Sequence, residues 1–202
     1  MAEGTVHVLD DDEAMRDSLA FLLDCAGLNV RTYESALVFL KDLERMERGC
    51  IVTDIRMPGM SGLELVERLK ELEIDDPVIV ITGHGDVPLA VQAMKAGVSD
   101  FIEKPFSEDL LLSAIRTALA RGDERREQDE ERKAVSARIE ALSARERQVL
   151  DGLVEGKPNK IMAFDLGISA RTVEVYRANL MTKMQAQSLS QLVRMTLLAG
   201  RT

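Results

Sequence analysis

The sequence predicts two unlike domains in series: a doubly wound α/β domain with a five-stranded parallel sheet in the order 2-1-3-4-5, then an all-α domain of four short helices. Three observations predict it. Five short apolar runs alternate with amphipathic segments in the first part of the chain, which implies parallel pairing through helical crossovers. Runs such as IVTD and VIVIT lack polar alternation, as central strands covered on both faces do. From Leu142 onward the pattern is wholly helical. A chain of 202 residues with 46% apolar residues suits two domains of unequal size, and with no Trp and five Phe their cores must be mostly aliphatic.

The elements follow in order. TVHVL (5–9) is a β-rich strand that ends in the acidic run Asp10-Asp11-Asp12-Glu13. A helix follows with Met15, Leu19, Leu22 and Leu23 on one face and Gly27 as its stop. NVRTY (29–33) reads as the second strand, and Ser35 caps a second helix through Met46. CIVTD (50–54) is the third strand, and the Pro58-Gly59 turn precedes a helix from about Gly62 to Leu72. PVIVIT (77–82) is the fourth strand, Gly83 to Asp86 a loop, and Val87 to Lys95 a helix closed by Gly97. DFIEK (100–104) is the fifth strand, and Ser107 caps the next helix. Residues 121–140 carry dense opposite charges at helical spacing and read as a helical linker. Breaks at Gly156-Lys157-Pro158, around Gly167 and near Ser188 divide the remainder into four helices. The expected domains are therefore 1–120, a linker 121–140, and 141–202.

Charge separates the two halves more sharply than the overall −9 suggests. Residues 1–123 carry 12 Lys+Arg against 24 Asp+Glu, a net of −12, whereas residues 141–202 carry 9 against 5, a net of +4. Only the second half can approach a phosphate backbone without strong repulsion. Cys25 and Cys50 sit in apolar runs without metal spacing and read as two buried thiols of a reducing cytosol. No apolar stretch is long enough to span a bilayer, and the start MAEGTVHVLDDDE lacks the pattern of a signal peptide. The expectation is a cytoplasmic protein without a membrane partner.

In the predicted fold, ligands bind at the carboxyl ends of the strands beside the switch point between strands one and three. Asp10 and Asp11 follow strand one, and Asp54 ends strand three. Carboxylates clustered there repel one another and need a cation, and hard oxygen ligands suit Mg²⁺ better than Zn²⁺. Thr82 and Lys104 bring a hydroxyl and an ammonium to the same rim from the ends of strands four and five. Together these groups are what a transferred phosphoryl group needs, with Asp54 the candidate nucleophile for an acyl phosphate. Acidic residues after strands also cap helices, and Asp12 and Glu13 are assigned to that role. The five residues Asp10, Asp11, Asp54, Thr82 and Lys104, each at a strand end in order, argue for more than capping.

The motifs LDDD, VTDIRMPGMSG, VIVITGHGD, AVQAMKAGVSDFIEKPF and LSARERQVL…NKIMAFDLGISARTVEVYRANLMTKM resemble response regulators of the NarL/FixJ family. The resemblance covers the chain apart from the linker and is strongest to FixJ-type nitrogen-fixation regulators. It implies a flavodoxin-like receiver domain joined to a LuxR-type helix-turn-helix domain, and a regulator rather than an enzyme. By this resemblance Asp54 is the phosphoacceptor, and Asp11, Asp54 and the backbone carbonyl of Arg56 hold Mg²⁺, with Asp10 acting mainly through water or electrostatics. Lys104 pairs with the acyl phosphate, its bond to Pro105 is cis, and Thr82 and Phe101 form a switch pair. Phe101 lacks the hydroxyl of the Tyr often found there, so no contact from that oxygen exists. The implied partners are a FixL-like sensor histidine kinase, promoter DNA, RNA polymerase and, on phosphorylation, a second copy of the chain through Val91 and Lys95. The implied targets are nitrogen-fixation or microaerobic genes.

Asn159 to Ala178 fits the helix-turn-helix template: Ala163 permits close helix approach, Gly167 supplies the turn, and Ile168, Val173 and Leu180 supply the shared core. Ser169 caps the second helix and, with Glu146, Leu150 and Gly156, matches the LuxR-type pattern. On residues 170–184, Arg171, Glu174, Val175 and Ala178 face away from the core and are the candidates to enter the major groove. Thr172, Arg177, Lys160 and Lys183 are assigned to phosphates. A solvated helix face explains any one of these charges equally well. Leu189, Leu192, Val193 and Leu197 form the stripe of the last helix, as support or dimer contact. Two other readings differ in class. A haloacid-dehalogenase-like phosphatase carries its nucleophile after the first strand rather than the third. A constitutive, phosphorylation-independent DNA binder has no use for the complete acidic set.

Overall fold

A computed structural model describes residues 4–83 and 87–200. In the first unit, residues 1–125, strands β1 (Thr5–Leu9), β2 (Asn29–Tyr33), β3 (Gly49–Asp54), β4 (Val78–Thr82) and β5 (Asp100–Glu103) form one parallel sheet in the order β2-β1-β3-β4-β5, as predicted. Helices α1 (Glu13–Cys25), α2 (Ala36–Asp42), α3 (Gly62–Glu71) and α4 (Val87–Lys95) separate the strands, and α5 (Glu108–Glu140) follows β5.

Alternation along the strands builds two cores. Val6, Val8, Cys50, Val52, Ile79, Ile81 and Ile102 meet Leu19 and Leu23 of α1 and Leu111 and Ile115 of α5. The intervening Leu9, Ile51, Val78 and Val80 meet Phe39, Leu65, Leu69 and Ala93 from α2, α3 and α4. Burial on both faces is why these strands read as unbroken apolar runs.

Caps fix where the helices begin. The Asp12 carboxylate accepts from Ala14 N, Ser35 Oγ from Val38 N, and Ser107 Oγ from Leu110 N. Ser61 and Glu64 form a reciprocal capping box that starts α3, a signal the sequence reading overlooked.

Three expectations need correction. The second helix ends at Asp42 and continues as a 3₁₀ turn, Leu43–Arg45, rather than running through Met46. Cys25, the last residue of α1, is exposed, so only Cys50 is a buried thiol. Lys104 lies one residue beyond β5 rather than within it. The loop expected over 83–86 falls, from residue 84 on, outside the described residues, as do residues 1–3 of the N-terminal segment.

In the second unit, residues 126–202, the helices are α6 (Ala144–Val154), α7 (Asn159–Leu166), α8 (Ala170–Met184) and α9 (Leu189–Leu198). Their core gathers Val149, Leu150, Met162, Val173, Leu180, Met184 and Leu192, together with Val135 and Ile139 from the end of α5. The boundary between the units falls inside α5, and its charged middle belongs to neither core. On α9, Leu192 is fully buried, whereas Leu189 and Leu197 are exposed. No helix among the described residues is long and apolar enough to cross a membrane.

Candidate phosphoacceptor site and DNA-binding helix

The pocket is built where β1, β3 and β5 end. Asp10 is 4% exposed, and its Oδ1 accepts from Asp12 N at 2.9 Å. Lys104 Nζ donates to Asp10 Oδ2 and to Asp54 Oδ1, both at 2.9 Å. One ammonium from the end of β5 thus holds two carboxylates from the ends of β1 and β3. Burial alone pushes the Lys104 pKa down, but the hydrogen bonds and negative charges of Asp10 and Asp54 outweigh it and leave the pKa raised. The lysine is therefore a fixed cation.

Asp54 Oδ2 accepts from Arg56 N at 2.6 Å, so the backbone after the strand turns back onto the carboxylate. The close approach of α3 to this strand end requires glycine: a Cβ at Gly62 would lie 2.4 Å from the Asp54 carbonyl oxygen. Thr82, 1% exposed, ends β4, and Phe101, half-buried, lies opposite Val80 on β5 and packs with the α2–α4 core. Lys104-Pro105 is cis.

Asp11 is exposed at the rim. Among the described residues no three His, Cys, Asp or Glu side chains already form a metal cage. The carboxylate oxygens of Asp10 and Asp54 that meet at Lys104 are hard donors, which fit a hard cation that keeps most of its waters. Arg16, on the first turn of α1, donates from Nη1 to the Asp10 carbonyl oxygen at 2.8 Å, a contact the sequence reading missed.

In the second unit Gly167 adopts φ 65°, and the Ser169 hydroxyl accepts from Thr172 N to start α8. Arg171, Glu174, Val175 and Ala178 are exposed along α8, with Val175 at 54%. Lys160 is exposed on α7, while Thr172 and Arg177 are half-buried. The Thr172 hydroxyl lies 2.8 Å from that of Ser169. Lys183 is exposed and pairs from the surface with a buried carboxylate, Nζ lying 2.7 Å from Glu146 Oε2. The same carboxylate oxygen accepts from Ser143 N and Oγ, closing the capping box that starts α6. The Lys183 hydrogen bond, then those of Ser143, hold the Glu146 pKa down at about 2.

Residues 6–116 match the response regulator receiver domain family, and residues 140–196 match the bacterial regulatory proteins, luxR family. The chain belongs to the response regulators of the NarL/FixJ family. The response regulator is similar to the transcriptional regulatory protein FixJ of Azorhizobium caulinodans, at 58% identity over 96% of this chain and 92% of that protein. The FixJ of Bradyrhizobium diazoefficiens is 50% identical over 98% of this chain and 97% of its own length. Among solved structures, the response regulator StyR is 43% identical with a TM-score of 0.85, covering 96% of this chain and 98% of that one. The response regulator is thus a two-component transcription regulator whose receiver is followed by a LuxR-type DNA-binding domain.

Proposed function

We propose that this response regulator takes a phosphoryl group onto Asp54 from a FixL-like sensor histidine kinase and that the modified receiver dimerises and drives sequence-specific DNA binding. The observation that carries the proposal is the Lys104 ammonium shared at 2.9 Å by Asp54 and Asp10. A carboxylate oxygen of Asp54 attacks phosphorus, the phosphorus–nitrogen bond of the donor phosphohistidine breaks, and its imidazole leaves with the electron pair. Lys104 is placed to hold charge that develops on the transferred group. Asp11, Asp54 and the Arg56 carbonyl, with Asp10 behind them, would hold Mg²⁺, which would supply charge neutralisation for the phosphoryl oxygens.

Thr82 and Phe101 form the switch, and α4 with its exposed Val91 and Lys95 is the isologous contact. Two effector domains then meet two half-sites together, which raises affinity through effective concentration. Arg171, Glu174 and Val175 read base edges, while Lys160, Thr172, Arg177 and Lys183 serve phosphates. Lys183 does so only from a position shared with Glu146. The output is transcription activation through RNA polymerase, at nitrogen-fixation or microaerobic promoters by the FixJ resemblance.

Sedimentation and DNA-binding measurements on the full chain, with and without acetyl phosphate and Mg²⁺, test the proposal. A dimer with tighter operator binding is expected only with both. Equal DNA binding in every condition would favour a constitutive binder and overturn it.

A further inference from the structure

We propose that Arg16 is a positioning residue for the acidic loop, holding the Asp10–Asp11 peptide so that the Asp11 carboxylate faces the cation site. The inference rests on the reading of this pocket as a Mg²⁺-dependent phosphoacceptor site. Its observation is the Arg16 Nη1 bond to the Asp10 carbonyl oxygen at 2.8 Å.

That carbonyl and the Asp11 N–H belong to one planar peptide unit, so fixing the oxygen fixes the direction in which the chain enters Asp11. The rest of the loop is held on other atoms. Asp10 N donates to the Tyr33 carbonyl at 3.3 Å, Asp12 N to Asp10 Oδ1 at 2.9 Å, and Arg16 N to the Asp12 carbonyl at 3.0 Å. Asp11 is exposed, and unlike the carboxylates of Asp10 and Asp12, its own is held by no hydrogen bond or ion pair among the described residues. With no contact of its own, its carboxylate depends on where the backbone places it, and Arg16 grips that backbone at the peptide entering Asp11.

The placement is electrostatically unfavourable for the helix, because a cation in the first turn faces the positive end of the α1 dipole. It is also unfavourable for a bound divalent cation, which a nearby guanidinium repels. These facts give the inference a sign. If Arg16 acts only as a charge near the pocket, its removal strengthens Mg²⁺ binding. If it positions Asp11, removal weakens binding despite the relief of repulsion, by about tenfold on the scale of groups that orient metal ligands.

The test is a MgCl₂ titration of the full chain followed by backbone amide shifts in ¹⁵N spectra, for wild type, Arg16→Gln and Arg16→Lys. Thermal unfolding establishes that each variant is folded at the titration temperature. The expected result is Mg²⁺ binding by wild type, about tenfold weaker binding by Arg16→Gln, and partial recovery in Arg16→Lys, whose ammonium can still reach a carbonyl. Binding by Arg16→Gln that equals or exceeds wild type overturns the positioning role while leaving the phosphoacceptor reading intact. Absence of Mg²⁺ binding by wild type overturns both.

Discussion

Lys104 and Asp54 come from strand ends 50 residues apart and meet at 2.9 Å, with Asp10 on the same ammonium at the same distance. The contact is electrostatically poised. The lysine offsets the repulsion of two carboxylates, yet it stands where a second cation would also be drawn.

Replacing Lys104 by Met removes the positive charge from that pair. A unit charge near 4 Å is worth on the order of 4 kcal/mol at an effective dielectric of about 20, before screening. Mg²⁺ is therefore expected to bind at least several-fold more tightly to Lys104→Met, measured by the same titration of amide shifts. Dimerisation on treatment with acetyl phosphate should fall, because the ammonium proposed to pair with the acyl phosphate is gone. Weaker Mg²⁺ binding would contradict this account of the pocket.

His7 predicts a pH dependence of stability. It is fully buried in β1, and its Nε2 lies 2.8 Å from the Glu47 carbonyl, which can only accept. Nε2 therefore carries the proton, and Nδ1 faces the Tyr33 hydroxyl at 3.4 Å. Burial lowers the pKa below 6.5, against smaller upward effects of Glu47 and Asp76. The unfolded chain then binds the proton first, so this contribution is complete above pH 6.5 and is lost as pH falls from 6.5 toward the folded-state value. The melting temperature of the receiver should drop across that window, and His7→Gln should flatten the drop. An unchanged slope in His7→Gln would remove His7 as its source.

Glu146 ties α8 to the start of α6, through Lys183 at 2.7 Å and the Ser143 capping box. Glu146→Ala removes a reciprocal cap and leaves the Lys183 ammonium without its anion. A loss of about 1–2 kcal/mol in effector stability is expected by denaturant unfolding. With the folded pKa held at about 2 against 4.5, the wild-type contribution is present above pH 4.5 and fades as pH falls toward 2.

The sheet was legible because its strands are buried on both faces, so Cys50–Val52 and Val78–Ile81 stand out as apolar blocks without alternation. Asp10 and Asp54 were legible as a pair because strand ends in a doubly wound sheet share one edge. What escaped depends on reach rather than period. Arg16 bends back six residues to a carbonyl, and Lys183 crosses 37 residues to Glu146, and no periodicity records where a long side chain goes. Cys25 looked buried because its run is apolar, but as the last residue of α1 it projects to solvent. Leu189 and Leu197 share the spacing of Leu192 without its burial, since a helical stripe is wider than the strip a small domain covers.

The central claim is that Asp54 carries the phosphoryl group. Intact-mass and peptide mass spectrometry of the full chain, after treatment with acetyl phosphate and Mg²⁺, tests it most directly. The account predicts one added phosphoryl group, mapped to the peptide containing Asp54 and absent from Asp54→Asn. A phosphoryl group on another residue of the wild-type chain, or none at all, would contradict it.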